Sequence, residues 1–236
     1  MLAPLPNDME PGTVVAHRGN RVAERENTVE AFRAARRSGA AAVELDVRRT
    51  RDGVLVVHHD ATVEGVGTIV ELDAAELGAA APWLPTLHAA LDACAGMWVN
   101  VEIKNWSREP DWDQERTTAS LLDVDRRGII VSSFDWESAG AARDAGFVTA
   151  LLAGDSALDA VRQAAAGGHR AVNVRATLLE GGAASEVVAA ALAAGLWVMA
   201  WTVNDPDEAI RLRACGVHAI MTDDPGTIAT ALAPRS

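Results

Sequence analysis

Short β-branched runs alternate with longer alanine-rich segments along nearly the whole chain, and that alternation is what most restricts how it can fold. Residues 13–16, 42–47, 54–59 and 98–104 read as extended runs, and so do 128–133, 148–152, 171–175, 196–203 and 218–222. Helical segments lie between them: 27–38, the proline-interrupted stretch 73–95, and then about 135–145, 156–166, 183–194 and 206–214. Asn27 with Glu30 three residues on is a capping-box signal for the first helix. Gly146, Gly167, Gly195 and Gly216 stand where a helix ends in a left-handed residue and the chain turns back into a strand. Strands separated by helices at this spacing are parallel, because a crossover of that length returns the chain to the same end of a sheet.

Nine extended runs are one more than an eight-stranded barrel needs. Asp52-Gly53 accounts for the ninth as a two-residue hairpin turn. In that register Arg51 faces Val54 and Asp46 faces His59, so the second strand continues past the barrel rim as a ribbon and returns. The expected architecture is α/β: a (β/α)8 TIM barrel built on 13–17, 42–47, 98–104, 128–133, 148–152, 171–175, 196–203 and 218–222. A β-hairpin extension follows the second strand, and a short cap segment covers 61–86. No Pro/Gly/Ser-rich linker divides the chain, so residues 1–236 are expected to form a single domain.

Charge then limits the partners. Thirty-three acidic against 21 basic side chains give a formal net charge of -12, which opposes binding to nucleic acid or an anionic membrane. The pairs Arg36-Arg37, Arg48-Arg49 and Arg126-Arg127 are dispersed among acidic residues. A hydrophobic fraction of 49% excludes disorder as the main state. Cys94 and Cys215 lie far apart with no partner motif, so both read as small buried hydrophobes. The first 12 residues lack a basic start followed by an apolar run, and no stretch has the roughly 18 apolar residues of a membrane span. The expectation is a cytoplasmic protein without stable membrane insertion; homodimerisation is left open.

Barrel enzymes carry their chemistry at the C-terminal ends of the strands. There the sequence places His17-Arg18-Gly19, Glu44-Leu45-Asp46, His59-Asp60, Glu102-Ile103-Lys104, Ser132-Ser133-Phe134, Trp201-Thr202-Val203-Asn204 and Thr222-Asp223-Asp224-Pro225. Glu44 and Asp46, two apart on a strand, share a face. Three carboxylates at one mouth repel each other unless a cation lies between them, and oxygen-only ligation suits one divalent hard ion, Mg²⁺ or Ca²⁺. His17 and His59 have the titration range of a general acid and base, and Arg18 and Lys104 suit the oxygens of an anion. That set fits hydrolysis of a phosphate ester.

The same residues carry a resemblance. His17-Arg18-Gly19, Glu26-Asn27-Thr28, Glu44-x-Asp46, His59-Asp60 and Glu102-x-Lys104, followed by the serine, tryptophan and aspartate motifs above, resemble the glycerophosphodiester phosphodiesterase family in order from residue 16 to 225. The resemblance implies a (β/α)8 barrel and metal-dependent cleavage of a small-molecule glycerophosphodiester to sn-glycerol 3-phosphate and an alcohol. It implies that Glu44, Asp46 and Glu102 hold the metal, that His17 and His59 are the acid/base pair, and that Arg18 and Lys104 contact the phosphate. Trp201 matches an aromatic that packs on the glycerol. In the mechanism drawn for the family one histidine assists a glycerol hydroxyl in attacking phosphorus, the other protonates the departing alcohol, and water opens the cyclic phosphate.

The sequence departs from the family pattern at several points. Arg25 replaces a proline before Glu-Asn-Thr, residues 61–67 read Ala-Thr-Val-Glu-Gly-Val-Gly in place of an Arg-Thr-Thr-like element, and His88 stands where a glutamate is common. These changes bear on substrate preference. The alternatives are a related phosphodiesterase acting on lysophospholipids or other phosphodiesters, and a catalytically silent barrel that only binds. His58, His88, His169 and His218 read as structural or solvated, Asn27 serves equally well as a helix cap, and Asp223 and Asp224 read first as a loop end and a helix cap.

Overall fold

A computed structural model describes residues 1–120 and 122–234. The strands are β1 (Thr13–His17), β2 (Ala42–Arg49), β3 (Leu55–Val57), β4 (Thr62–Val63), β5 (Gly67–Thr68), β6 (Trp98–Ile103), β7 (Ile129–Ser133), β8 (Val148–Ala153), β9 (Ala171–Arg175), β10 (Trp197–Trp201) and β11 (Ala219–Thr222). The helices are α1 (Val29–Arg37), α2 (Ala74–Ala80), α3 (Leu87–Ala93), α4 (Thr117–Ser120), α5 (Trp136–Asp144), α6 (Ala157–Gly167), α7 (Ala183–Ala193), α8 (Pro206–Ala214) and α9 (Pro225–Leu232). Among the described residues, β1, β2 and β6 to β11 pair in parallel in that order, and β1 also pairs with β11. The sheet therefore closes into an eight-stranded barrel.

Alternation along each strand sorts the side chains into two cores. In β2, Val43, Leu45 and Val47 point outward into the layer under the helices, together with Val99, Val101 and Ile103 of β6. Ala42 and Trp98 point inward and meet Val15, Ile130, Ala150, Trp197 and Met199, with Met9 packed among them. The same inward faces carry Glu44, Asp46, Asn100 and Glu102 further along β2 and β6, toward the strands' C-terminal ends, and all four are buried. The lower barrel is thus apolar and its upper end polar.

The hairpin register differs from the sequence expectation by one residue. Val47 pairs with Val57 and Arg49 with Leu55, and the His58 amide donates to the Asp46 carbonyl. Asp46 therefore faces His58, not His59. The turn has three residues, with the Thr50 amide donating to Val54 and Gly53 at φ +82, the left-handed position of a type I turn closed by a bulge. Asp52-Gly53 marks a hairpin in either geometry; what decides is Thr50, whose hydroxyl bonds both Asp52 and Val54 and closes the loop. His58 packs on Trp83 at 5.8 Å, whereas His59 lines the cavity above the barrel.

Two helix boundaries also move. Thr28, not Asn27, is the N-cap of α1, its hydroxyl accepting from the Ala31 amide. Gly167 is the last residue of α6, and Gly168 takes the left-handed cap at φ +71. Cys94 is buried as expected, while Cys215 is only partly so.

Arg48 ties the returning arm to the barrel. Its side chain is 1% exposed, donates to the His59 carbonyl from Nε (2.8 Å) and Nη2 (2.6 Å), and pairs with Asp111 (2.6 Å) and Glu109 (2.8 Å). Removing one partner of a buried pair leaves an uncompensated charge and costs about 3–5 kcal/mol. Arg48→Met is expected to lower the melting temperature by roughly 10 °C, a shift that thermal unfolding followed by circular dichroism will measure.

Candidate active site

The cavity at the C-terminal end of the barrel is built first by the loop after β1. Arg18 adopts φ +57, which turns its amide onto Glu44 Oε2 at 3.0 Å. Gly19 follows at φ +82, and any Cβ there would lie 2.7 Å from the Ala31 Cβ, so only glycine lets this loop rest on α1. The Asn27 amide closes the loop on the Arg18 carbonyl at 2.9 Å. Glu-Asn-Thr then divides its work. Glu26 takes Arg18 Nη1 at 2.9 Å, Asn27 Nδ2 donates to Asp46 Oδ2 at 2.8 Å, and Thr28 caps the helix. Asn27 is thus a buried prop for a carboxylate and not the cap of α1.

Glu44 and Asp46 on β2 meet Glu102 on β6, where Asp46 and Glu102 are partners in register. One oxygen of each lies within 4.8 Å of the others, and all three residues are buried. Among the described residues Glu44 Oε1 has no hydrogen-bond partner. Burial, and then the carboxylates of Asp46 and Glu102, push the Glu44 carboxyl well above the ordinary range. Burial also raises Glu102, against the pull of Lys104. For Asp46, burial opposes ionisation but Lys104, then Arg18 and His59, outweigh it and hold the carboxyl below its usual value. Three hard oxygens converging on one point, one of them with its bonding capacity unspent, fit a divalent hard cation.

The cations and histidines surround this point. Lys104 Nζ lies 2.6 Å from Glu102 and 3.1 Å from Asp46, and Arg18 Nε lies 3.2 Å from Asp46. His17 Nδ1 donates to Asp223 Oδ1 at 2.8 Å, and His59 Nδ1 to Asp60 Oδ1 at 2.7 Å, which leaves each Nε2 without a hydrogen bond among the described residues, and both side chains line the cavity. Burial and the neighbouring Lys104 lower the His59 pKa. Burial acts against the Asp223 charge, but hydrogen bonds from His17 and Asn204 hold its carboxyl down at about 2. The enclosed space measures about 210 Å³ and is bounded opposite the carboxylates by Trp106, Phe134 and Trp201. Phe134 meets Trp201 edge-on at 5.6 Å.

All eight residues singled out in the sequence for catalysis, metal or substrate contact are therefore gathered here; only the Asp46 carboxylate lies behind the cavity lining. Three others were not. Asp223 was read as a loop end, although an aspartate at the C-terminal end of a barrel strand was the available signal. Arg48 lacked any signal, since its partners Glu109 and Asp111 lie more than 60 residues on. Arg175 lines the cavity from the end of β9, a position that no motif in the sequence marks. Among the four histidines taken as structural, His169 bonds Thr149 (2.7 Å) and His218 accepts the Val198 amide (3.1 Å).

The sequence profile of the Glycerophosphoryl diester phosphodiesterase family matches residues 17–227. The chain belongs to that family. It is accordingly a phosphoric diester hydrolase, of a family that uses divalent metal. A glycerophosphodiester phosphodiesterase of Caldanaerobacter subterraneus is 29% identical over 238 residues, covering 91% of this chain and 95% of its own. The crystal structure of the Thermotoga maritima glycerophosphodiester phosphodiesterase superposes with a TM-score of 0.79 at 26% identity, covering 92% of this chain and 97% of its own. A phosphodiesterase of Oleispira antarctica, solved in complex with sn-glycerol-3-phosphate, shares the fold at TM-score 0.78 and 24% identity, covering 93% and 96%. Among the described residues no helix is long and apolar enough to cross a membrane.

The raised Glu44 pKa has a consequence for stability. A carboxyl whose folded pKa lies above its unfolded value contributes fully below the unfolded pKa and loses that contribution as pH rises through the folded one. Metal-free protein is therefore expected to melt lower at pH 8 than at pH 6, and Glu44→Gln to remove much of that difference. Thermal melts at the two pH values, with and without Mg²⁺ or Ca²⁺, will show it; saturating cation should raise the wild-type melting temperature most at pH 8.

Proposed function

We propose that this protein hydrolyses glycerophosphodiesters to sn-glycerol 3-phosphate and an alcohol, using one divalent cation and a pair of histidines. The observation that carries the reading is the meeting of three buried carboxylates with His17, His59, Arg18 and Lys104 at one cavity. A lone E-x-D pair would carry no such weight. Glu44, Asp46 and Glu102 would hold Mg²⁺ or Ca²⁺, and the ion would polarise the phosphoryl oxygens and offset the charge that builds on phosphorus. Arg18 and Lys104 would donate to the remaining phosphate oxygens.

His17 takes the role of base. Its Nδ1 proton is committed to Asp223, so Nε2 can accept a proton from the attacking glycerol hydroxyl while Asp223 stabilises the imidazolium that results. His59 takes the role of acid. Its Nδ1 is held by Asp60, so a proton carried on Nε2 can pass to the departing alkoxide. The P–O bond to the alcohol breaks as the bond to the glycerol oxygen forms. Water, with the proton transfers reversed, then opens the cyclic phosphate to glycerol 3-phosphate. Trp201 offers its face to the glycerol carbons.

Release of glycerol 3-phosphate from glycerophosphoethanolamine, with and without exhaustive chelation, tests the reaction and the metal together. Turnover that survives chelation would remove the metal from the account. His17→Ala and His59→Ala are each expected to lower kcat by between about 10² and 10⁴. Asp223→Asn keeps the shape but removes the carboxylate that orients His17 and faces the imidazolium formed during the reaction. The accompanying loss in kcat is expected to be roughly 10–100-fold, as for other residues that orient a catalytic side chain.

A further inference from the structure

β9 places Arg175 at the rim of the cavity, exposed, and opposite Trp201 in the β9–β10 register. Its guanidinium carbon lies 5.2 Å from the Trp201 ring centroid. The other cations of the cavity are held by carboxylates, Arg18 by Glu26 and Asp46, and Lys104 by Glu102 and Asp46. Among the described residues Arg175 has the indole face as its neighbour and no carboxylate.

A guanidinium held over an aromatic ring by cation–π attraction spends none of its N–H groups on a carboxylate, and they remain able to donate. Such a fork matches the two oxygens of a carboxylate or phosphate. The stack also decides what the aromatic wall can accept. Trp106, Phe134 and Trp201 would by themselves suit a quaternary ammonium. With Arg175 on Trp201, that end of the wall is already occupied by a cation and repels a second one. A phosphodiester carries a single negative charge, and Arg18 and Lys104 lie beside the carboxylate cluster where it would bind. The charge of Arg175 is left over for something else.

We propose that Arg175 is a specificity-determining residue that binds a second anionic group, a carboxylate or a second phosphate, carried by the diester. The proposal rests on the glycerophosphodiester reading above and narrows its substrate class. Diesters with a second anion are preferred over those whose alcohol is neutral or cationic, choline being the least favoured. The second anion can sit on the leaving alcohol or on the glycerol half, and matched substrates separate the two.

The experiment compares kcat/KM within two pairs, for metal-loaded wild type, Arg175→Gln and Arg175→Lys. Glycerophosphoserine and glycerophosphoethanolamine differ by one carboxylate on the leaving alcohol. Bis(glycerophospho)glycerol and glycerophosphoglycerol differ by one phosphodiester. In at least one pair the wild type is expected to favour the more anionic member about tenfold, through KM and not kcat, the size of one charge-assisted contact. Arg175→Gln should bring that ratio down to about two or less, with Arg175→Lys in between, because the ammonium keeps the charge and loses the fork. The exposed position of Arg175 lets both variants fold, which a thermal melt checks. The proposal is overturned by equal rates within both pairs, by a preference that persists in Arg175→Gln, or by equal losses on all four substrates, which would put Arg175 on the shared phosphate. If metal-loaded wild type turns over none of the four, the glycerophosphodiester reading itself fails and Arg175 loses its assignment with it.

Discussion

Three carboxylates buried within 4.8 Å of one another are the constraint around which the upper half of this barrel is arranged. Each is costly to remove from water, and together they repel. Several polar contacts at the ends of β1, β2 and β6 answer that cost. Lys104 lies between Asp46 and Glu102, Arg18 reaches Asp46 from the β1 loop, and the Arg18 amide and the Asn27 side chain supply hydrogen bonds to Glu44 and Asp46. Even so, Glu44 keeps an oxygen without a hydrogen-bond partner among the described residues, and its carboxyl is held well above the ordinary range. A divalent cation would satisfy such a site, and folding and cation binding would then be coupled through the same oxygens.

The acidic character of the whole chain and the anionic substrate class of its family are reconciled by this local arrangement. Against a net charge of -12 for the whole chain, Arg18, Lys104, Arg175 and the two histidines are concentrated at one cavity, where a cation held by Glu44, Asp46 and Glu102 would offset the charge of those carboxylates. Long-range repulsion acts on extended polyanions. A small diester meets the near field of the cavity, which solvent screening leaves largely intact at contact distance.

The hairpin and cap show how a side chain outside the barrel strands is brought to the site. His59 lies beyond the paired part of β3, and its position depends on Arg48, buried beneath it and braced by Glu109 and Asp111. Val56, the partner of Arg48 in register, joins Val63, Ile69, Leu77 and Leu84 in a small core of their own. Arg25, the residue that replaces the family's proline, places its guanidinium 3.2 Å from the centre of the Trp83 ring. That stack joins the β1 loop to the cap, so the departure from the family pattern comes with a new contact and leaves the loop closed.

The barrel, the order of its strands and the membership of the site could be read in the sequence because each follows from local rules. Alternation fixes which residues face inward, helices between strands fix parallel pairing, and strand ends in a barrel converge. His17, Glu44, Asp46, Glu102 and Lys104 were legible for that reason. Asp223, Arg48, Arg175 and the true partner of Asp46 were not. Their roles depend on which residues meet across 26 to 206 positions of chain, or on a one-residue choice of turn that a Thr50 hydroxyl decides. Sequence determines face and period; only closure of the barrel brings distant charges within hydrogen-bonding range, and there the balance of burial against pairing decides which of them remain charged.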